Sequence, residues 1–308
     1  MPLHIATPLL RSTAFSRSTG RNVWLKVDAL QPSGSFKMRG IGHACETRAR
    51  AGAKRFAASS GGNAGLAVAH AGRMLGVPVL VVVPTATGER AKALIAEQGD
   101  EVVVHGASWA EADAYLRERL AADDAYIHPF DDPLLWEGHA SLVDEIAAAG
   151  VRPDAVVCSV GGGGLMSGVV EGLRRNGWGT VPVLALETRG ADSLAQSLAA
   201  GELVTLPAIT SIAVSLGARR VAQHAFDIAR SHPVRSLVVE DREAVDGCLA
   251  LARELRVIVE PACGASLVPI LRNDAALGDA KDVVVVVCGG VSASYEQLLE
   301  WERTLPAD

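Results

Sequence analysis

One lysine near the start of the chain has the surroundings of a reactive amine. Lys37 lies in the stretch PSGSFKMRG, residues 32–40, which follows a strand-like run over residues 23–28. Ser35 is the predicted helix N-cap, which places Lys37 in the first helical turn, where the helix dipole disfavours a cation. Apolar neighbours on both sides favour a lowered pKa, and a neutral amine can act as a base or form an imine. A solvated lysine at a helix start is the structural alternative.

A second segment with chemical potential is SSGGNAG, residues 59–65, after a predicted strand that ends at Ala58. Its small residues let the backbone approach a ligand closely. The N–H groups at the start of the next helix can hold an anion such as a carboxylate. Asn63 is expected either to cap that helix or to hydrogen-bond a ligand oxygen.

Four consecutive glycines, Gly161–Gly164, form a third segment directly after the apolar run 156–160. Consecutive glycines are costly in chain entropy, and between a strand and a helix they favour a phosphate cradle of backbone N–H groups. A nicotinamide-binding fingerprint is the alternative, because two of these glycines have its spacing and Glu187 ends the next predicted strand. Met166 stands where that fingerprint requires a third small residue, which argues against it.

A cysteine marks the end of the most apolar predicted strand. Cys288 follows a run of valines, residues 283–287, and precedes two glycines that keep the strand end open to a ligand. A small buried core residue is the alternative. The chain has five cysteines, an odd number with no C-x-x-C pair. That usage is typical of reduced thiols in a cytoplasmic protein without a zinc site or a disulfide framework.

Short buried strands and Ala-rich helices alternate along the chain, and these elements must position the four segments. The predicted strands cover residues 55–58, 78–83, 101–105, 125–128, 154–160, 181–187, 236–240 and 282–288. The predicted helices include residues 63–75, 109–122, 134–149 and 242–255. Each connection is long enough for a crossover between parallel strands, so the fold class is α/β with doubly wound open sheets. Such sheets bind ligands beyond the carboxyl ends of their strands.

Composition narrows the class of protein. With 308 residues the chain is expected to form two domains, and 49% hydrophobic with 21% charged residues indicates a well-packed globule. The formal net charge of −6 argues against a nucleic-acid partner. No apolar run approaches the roughly 20 residues that span a membrane, and no secretory signal is expected at the N-terminus. These features predict a cytoplasmic protein with a small-molecule ligand.

Together, the four segments resemble those of pyridoxal-phosphate enzymes of fold type II, the tryptophan synthase β-like family. They follow one another in the order found in that family, and the resemblance extends from Thr7 to Gly290. Within the family, the segment EPACGAS at residues 260–266 and Cys288 in place of a serine resemble the serine/threonine dehydratase group, above all the L-serine dehydratases.

The resemblance implies a role for each candidate residue. Lys37 would hold pyridoxal 5'-phosphate as an imine and later take the α-proton of the substrate. The cofactor would be bound by Phe36, Lys37, Asn63, Gly161, Gly162, Gly163, Gly164, Leu165 and Cys288. The amino-acid substrate would be bound by Ser60, Gly61, Gly62 and Asn63. A monovalent cation, expected to be potassium, would be bound by Gly161, Glu187, Ala191, Leu216 and Ala218.

The resemblance also implies a reaction and an assembly. The expected reaction is an α,β-elimination that converts L-serine to pyruvate, or L-threonine to 2-oxobutanoate, with release of ammonia. The expected assembly is a homodimer, with a small domain over residues 36–133 inserted in a large domain formed by residues 1–35 and 134–308. Threonine dehydratase proper, serine racemase and β-replacing synthases of the same fold are alternatives. A nicotinamide-dependent oxidoreductase or a non-catalytic nucleotide-binding protein is a more distant one.

Overall fold

The computed structural model describes residues 2–98 and 101–306 and contains two separate β-sheets. The strands are β1 (Leu9–Ser12), β2 (Asn22–Lys26), β3 (Arg55–Ala58), β4 (Val79–Val83), β5 (Glu101–Val104), β6 (Asp124–Tyr126), β7 (Ala155–Ser159), β8 (Val183–Thr188), β9 (Val234–Val239) and β10 (Asp282–Val286). The α-helices are α1 (Thr13–Thr19), α2 (Lys37–Arg50), α3 (Asn63–Leu75), α4 (Glu89–Ala96), α5 (Trp109–Arg117), α6 (Pro133–Ala148), α7 (Gly164–Arg175), α8 (Ser193–Ala200), α9 (Gln223–Ser231), α10 (Asp241–Leu255), α11 (Pro261–Gly264), α12 (Val268–Arg272) and α13 (Tyr295–Thr304). Short 3-10 helices cover Asp28–Leu30, Val214–Leu216, Ala265–Leu267 and Ala275–Leu277. None of the described helices is long and apolar enough to cross a membrane.

The larger sheet has six strands in the order β1-β2-β10-β7-β8-β9. Neighbouring strands pair in parallel except β1 and β2, which are antiparallel with Leu9 opposite Lys26. Every residue of β7 and β8 is buried, which explains why both strands are mainly continuous apolar runs. Strand β1 was not predicted from the sequence, because it is a four-residue edge strand with a largely exposed face.

The smaller sheet has four parallel strands in the order β5-β4-β3-β6. All of its strands fall within residues 36–133, and all strands of the larger sheet fall outside that range. The predicted α/β class with doubly wound, mainly parallel sheets is therefore confirmed. The division of the chain into two domains at those boundaries stays a prediction.

Glycines bring three helices into close contact. A Cβ atom on Gly40 of α2 would lie 2.5 Å from the backbone oxygen of Leu135 on α6. A Cβ atom on Gly168 of α7 would lie 2.3 Å from Cβ of His139, also on α6. Helix α6 consequently packs directly against both α2 and α7. The helices that begin at Lys37 and at Gly164 are thereby fixed relative to each other.

A buried group of charges holds the first turn of α2. The Arg39 guanidinium bonds to Asp28 (Nε to Oδ2, 2.7 Å) and to Glu145 on α6 (Nη1 to Oε1, 2.6 Å). Lys26, at the end of β2, pairs with the same Glu145 carboxylate. Burial by itself lowers the pKa of Arg39, but its contacts with Asp28 and Glu145 outweigh burial and raise it. We call Lys26, Asp28, Arg39 and Glu145 the charge network.

The predicted helix cap at Ser35 is wrong, and of the two alternatives for Asn63 the structure excludes the cap. Phe36, not Ser35, precedes α2 at the N-cap position, and the buried Ser35 hydroxyl has no hydrogen-bond partner within residues 2–98 and 101–306. Gly62 precedes α3, so Asn63 is the first residue of that helix and not its cap. Both positions are set by the segment after β10, because Ser35 forms a β-bridge with Gly289 and the Asn63 side chain accepts a bond from the N–H of Val291.

Candidate active site

The lysine stretch is joined to the end of β10 by backbone hydrogen bonds. The Phe36 N–H donates to the carbonyl oxygen of Cys288 at 2.9 Å, and the Gly290 N–H donates to that of Gly34 at 2.8 Å. Gly289 adopts φ +86°, and a Cβ atom there would lie 2.4 Å from the Gly34 oxygen. Two segments that the sequence singled out separately therefore form one structural unit.

The Lys37 amine is surrounded mainly by uncharged groups. Its Nζ donates to the carbonyl oxygen of Pro129 at 2.5 Å and lies 5.2 Å from the centre of the Phe36 ring. Burial lowers the pKa of Lys37 to about 8, while Cys288 and Glu260 act in the opposite direction. Roughly a tenth of an amine with this pKa is neutral at pH 7, and the neutral amine is the reactive form.

Two histidines lie close to Lys37, and both are neutral. The His139 ring is fully buried, lies 4.9 Å from the Phe36 ring between centroids, and accepts a bond from the Gly40 N–H at Nδ1 (3.2 Å). Burial lowers the pKa of His139 well below its usual value and that of His128 to about 4. Neither ring carries charge near Lys37 at neutral pH.

The tetraglycine loop needs its glycines for packing. A Cβ atom on Gly162 would lie 2.2 Å from the Phe130 ring, and one on Gly163, whose φ is +93°, would lie 2.2 Å from Cβ of Ala225. Helix α7 begins at Gly164 without a side-chain cap, so the N–H groups of its first turn are available to an anion. Leu165 is buried in the core of the larger sheet and anchors this turn.

Asn63 is held by a carboxylate that the sequence did not single out as a site residue. Its Nδ2 donates to Oε1 of Glu260 at 2.7 Å, and its Oδ1 accepts from the Val291 N–H at 3.1 Å. Glu260 is 2% exposed and also accepts from the hydroxyl of Ser292 at 2.5 Å. In the sequence, Glu260 stands out as the first residue of the segment EPACGAS, and the pair Glu260-Pro261 is typical of a helix start and begins α11 here.

The predicted substrate-binding residues form the turn between β3 and α3. The Gly62 N–H lies 3.4 Å from Oγ of Ser60, and a Cβ atom on Gly61 would lie 2.5 Å from Cγ2 of Thr87. At Gly62, by contrast, no described atom lies within 4 Å of the Cβ position. Helix α3 has no side-chain cap, so its first N–H groups are available to a carboxylate.

Cys288 is a neutral thiol. It is 5% exposed, and contact with Cys263 together with burial raises its pKa well above the usual value. The neighbouring carboxylate of Glu260 acts in the same direction. At neutral pH this position therefore presents a weak S–H donor without negative charge.

The segments predicted to bind a cation come together beside the tetraglycine loop. A Cβ atom on Gly161 would lie 3.0 Å from Cα of Leu216, and Ala191 belongs to the same small buried cluster as Leu216. The Ala218 N–H donates to the Leu216 carbonyl at 2.8 Å. No group of three or more His, Cys, Asp or Glu side chains in the described part of the chain is arranged to hold a metal. A site here would consist mainly of backbone oxygens.

Glu187 has the contacts of a carboxylate that caps a helix. It is fully buried in β8, and its two oxygens accept from the N–H groups of Leu194 and Ala195, each at 2.8 Å, at the start of α8. Burial raises the pKa of Glu187 to about 8, and the two N–H groups oppose that rise. These bonds leave one lone pair on each Glu187 oxygen for a further ligand.

The chain is similar in sequence to enzymes that use pyridoxal phosphate. A family model described as pyridoxal-phosphate dependent enzyme matches residues 1–289. A mouse protein named serine dehydratase-like is 47% identical over 310 residues, which cover 97% of this chain and 94% of that protein. The human L-serine dehydratase/L-threonine deaminase is 45% identical, with coverage of 96% and 94%.

The fold is also similar to those of solved structures of an L-serine ammonia-lyase and a threonine deaminase. A fungal L-serine ammonia-lyase from Rhizomucor miehei superimposes with a TM-score of 0.93 at 36% identity, covering 99% of this chain and 100% of that one. A threonine deaminase from T.th. superimposes with a TM-score of 0.85 at 30% identity, covering 94% of each chain. The predicted fold type is therefore confirmed.

Proposed function

The chain belongs to the family of pyridoxal-phosphate dependent enzymes, and we propose that it is an L-serine/L-threonine ammonia-lyase. It would convert L-serine to pyruvate, or L-threonine to 2-oxobutanoate, with release of ammonia. The names of the human relative and of the fungal structure support this activity. The single observation that carries the proposal is the Lys37 amine, enclosed with a pKa of about 8 next to the Cys288 strand end.

The residues of the site fit pyridoxal phosphate. An enclosed amine with a lowered pKa is suited to a covalent bond with an aldehyde. The tetraglycine loop has no side chains because the protein packs directly against it, and a Cβ atom on Gly162 would lie 2.2 Å from the Phe130 ring. The start of α7 directly follows that loop, has no side-chain cap, and supplies N–H groups suited to a phosphate.

The family resemblance implies which residues would hold the cofactor. Lys37 would bind it covalently, and Phe36 would lie against its ring. The phosphate would be held by Gly161, Gly162, Gly163, Gly164 and Leu165, the ring hydroxyl by Asn63, and the ring nitrogen by Cys288. When bound, pyridoxal phosphate supplies an electron sink that makes the α-proton of an amino acid acidic enough to remove.

Lys37 is the proposed base for that proton. The Pro129 carbonyl holds its Nζ at 2.5 Å, and an amine with a pKa of about 8 is close to the pH at which it must accept a proton. His128 and His139 do not compete for the proton, because burial lowers the pKa of both. Ser60 and the first N–H groups of α3 would hold the substrate carboxylate.

The neutral thiol of Cys288 favours elimination over racemisation. Its pKa is raised well above the usual value, so it places no negative charge at the ring nitrogen it would face. Cys288 would leave the ring nitrogen without the carboxylate partner that would keep it protonated. With less electron withdrawal by the cofactor, loss of the β-hydroxyl would be favoured over return of a proton to the opposite face of the α-carbon.

A monovalent cation, expected to be potassium, is the second proposed cofactor. Gly161, Ala191, Leu216 and Ala218 lie in one neighbourhood beside the tetraglycine loop. Glu187 is the one carboxylate proposed for this site, and hard cations prefer oxygen ligands of these kinds. The homodimer and the domain boundaries are proposed on the family resemblance, and the cytoplasmic location on the cysteine usage.

Product analysis tests the proposed function. Purified holoenzyme is incubated with L-serine or L-threonine, and keto acid, ammonia and the chirality of unreacted amino acid are measured. The proposal expects stoichiometric keto acid and ammonia, with elimination faster than formation of D-serine. D-serine formed faster than pyruvate would indicate a racemase instead. Titration of potassium against turnover, in buffer free of other monovalent cations, tests the second cofactor. Turnover that does not change with potassium would remove the cation from the proposal.

A further inference from the structure

Glu260 is a buried carboxylate that contacts both the loop 59–65 and the loop 288–292 of the active site. It precedes α11 and is 2% exposed. We propose that Glu260 is a positioning residue, which orients the Asn63 amide and couples the loop 59–65 to the loop 288–292. The cofactor contact assigned to Asn63 rests on the proposed function, whereas the coupling of the loops stands on the hydrogen bonds alone.

The contacts of Glu260 use both of its oxygens. Oε1 accepts from Nδ2 of Asn63 at 2.7 Å. Oε2 accepts from the N–H and the hydroxyl of Ser292, at 3.2 and 2.5 Å. A carboxylate only accepts hydrogen bonds when ionised, so these donors match it without conflict. A glutamine at this position would place its NH2 group, a donor, against the donors of either Asn63 or Ser292.

These bonds leave one orientation for the Asn63 amide. Its Oδ1 faces the N–H of Val291, a donor, and its Nδ2 faces Glu260, an acceptor. The opposite orientation would pair two donors and two acceptors. The second hydrogen of Nδ2 has only a long contact, 3.4 Å to Oγ of Ser215, so it remains available to a ligand.

The carboxylate joins the two sheets. Asn63 begins α3, which packs on the smaller sheet, while Val291 and Ser292 follow β10 of the larger sheet. Gly290 shows how tightly this junction is built, because its φ is +112° and a Cβ atom there would lie 2.0 Å from Cδ of Glu260. Movement of Glu260 would therefore disturb both loops together.

Glu260 also contributes to the charge around Lys37. Its carboxylate acts to raise the pKa of Lys37 and that of Cys288. Burial raises the pKa of Glu260 itself, and its bonds to Ser292, Ser215 and Asn63 oppose that rise. These bonds favour the ionised form in which Glu260 orients Asn63.

The test compares Glu260→Gln with Glu300→Gln, a control on the exposed face of α13. The holoenzymes are compared by the dissociation constant for pyridoxal phosphate and by amide hydrogen exchange in peptides covering residues 59–66 and 288–293. Losing a hydrogen bond to a charged group should weaken cofactor binding about tenfold or more. Exchange should accelerate in both peptides of Glu260→Gln, and neither readout should change in Glu300→Gln.

A second variant tests the coupling with less risk to folding. Ser292→Ala removes one hydroxyl donor from Glu260 and makes no change in α3. If Glu260 couples the loops, exchange accelerates in residues 59–66 as well as in 288–293. A change confined to 288–293, or cofactor affinity within twofold of wild type in Glu260→Gln, would overturn the proposal. These readouts need no substrate, so they remain decisive if the chain acts on another amino acid.

Discussion

Two lysines, the buried Lys26 and the half-buried Lys37, differ in what surrounds their charge. Lys26 is 1% exposed, donates to the Thr7 carbonyl at 2.6 Å and pairs with the Glu145 carboxylate. Lys37 donates to the carbonyl of Pro129 and lies over the Phe36 ring, 5.2 Å from its centre. Burial lowers the pKa of Lys26, but its contact with Glu145 opposes that fall, whereas burial lowers the pKa of Lys37 to about 8. An ion pair makes the first lysine structural, and its absence makes the second reactive.

The difference shows how the fold separates stability from chemistry. The charge network holds the first turn of α2 through Arg39, two residues after Lys37. The cationic side chain that fixes the helix is thus distinct from the one that reacts. Four experiments test this contrast, beginning with the one of largest expected effect.

Removing the reactive amine should have the largest effect. Lys37→Ala should lower elimination at least about 1000-fold, because the proposed base is lost. The fold should persist, since Lys37 takes no part in the charge network. Ammonia release and far-UV circular dichroism measure the two expectations, with Lys54→Ala, an exposed lysine, as the matched control. Turnover like that of wild type would remove Lys37 from the mechanism.

Removing the structural lysine should affect stability instead. Lys26→Met should lower the free energy of unfolding by about 2 kcal/mol, less than the ~3–5 kcal/mol typical of a broken buried pair, because Glu145 keeps its contact with Arg39. Urea denaturation measures this loss. Borohydride trapping of the cofactor should still label Lys37 in the folded fraction. If Lys26→Met were as stable as wild type but no longer took up cofactor, Lys26 would be the functional lysine and the assignment of the two lysines would be wrong.

A carboxylate placed beside Lys37 should make its surroundings like those of Lys26. Cys288→Asp should raise the pKa of Lys37 and lower elimination about tenfold, or open side reactions, as expected for one opposite charge near the amine. Cys288→Ser keeps a neutral donor and should stay within about threefold of wild type. Pyruvate release with chiral analysis of serine compares the proteins. Equal elimination by the Asp variant would show that charge at this position does not decide the reaction.

The fourth experiment follows the pH dependence of stability in the protein without cofactor. The folded pKa of Lys37, about 8, lies below its ordinary value of 10.5. The unfolded chain therefore binds more protons between those pH values, and its unfolding free energy should rise with pH across that window. Lys37→Met should be more stable than wild type at pH 7, and the gap should close towards pH 10.5. Parallel stability curves from pH 7 to 10.5 would contradict the lowered pKa.

Much of the fold and part of the site could be predicted from local sequence. Buried parallel strands such as β7 are apolar throughout, and Gly163 has a backbone conformation that favours glycine. The β-strand β1 was missed because a short, exposed edge strand carries no such pattern. Local reasoning therefore succeeded where the backbone itself dictates the residue type.

The contacts of single side chains could not be predicted in this way. Asn63 meets Glu260, a residue 197 positions away, and this contact replaces the helix cap that the local pattern suggested. Lys26 looked like one residue of an ordinary strand, since its partner Glu145 lies 119 positions away. Such pairs depend on tertiary structure, which a single sequence does not display.

The position of β10 has a consequence for how the protein is made. This strand lies between β2 and β7, with Val283 paired to both Val23 and Ala155. Because the ribosome delivers β10 after the nine other strands of the described residues, the larger sheet remains divided until β10 has been made. Pairing between such distant segments is slow, so completion of this sheet should limit the folding rate. Until then the nascent chain presents Lys37 without the strand end that packs beside it, and cofactor capture has to follow the insertion of β10.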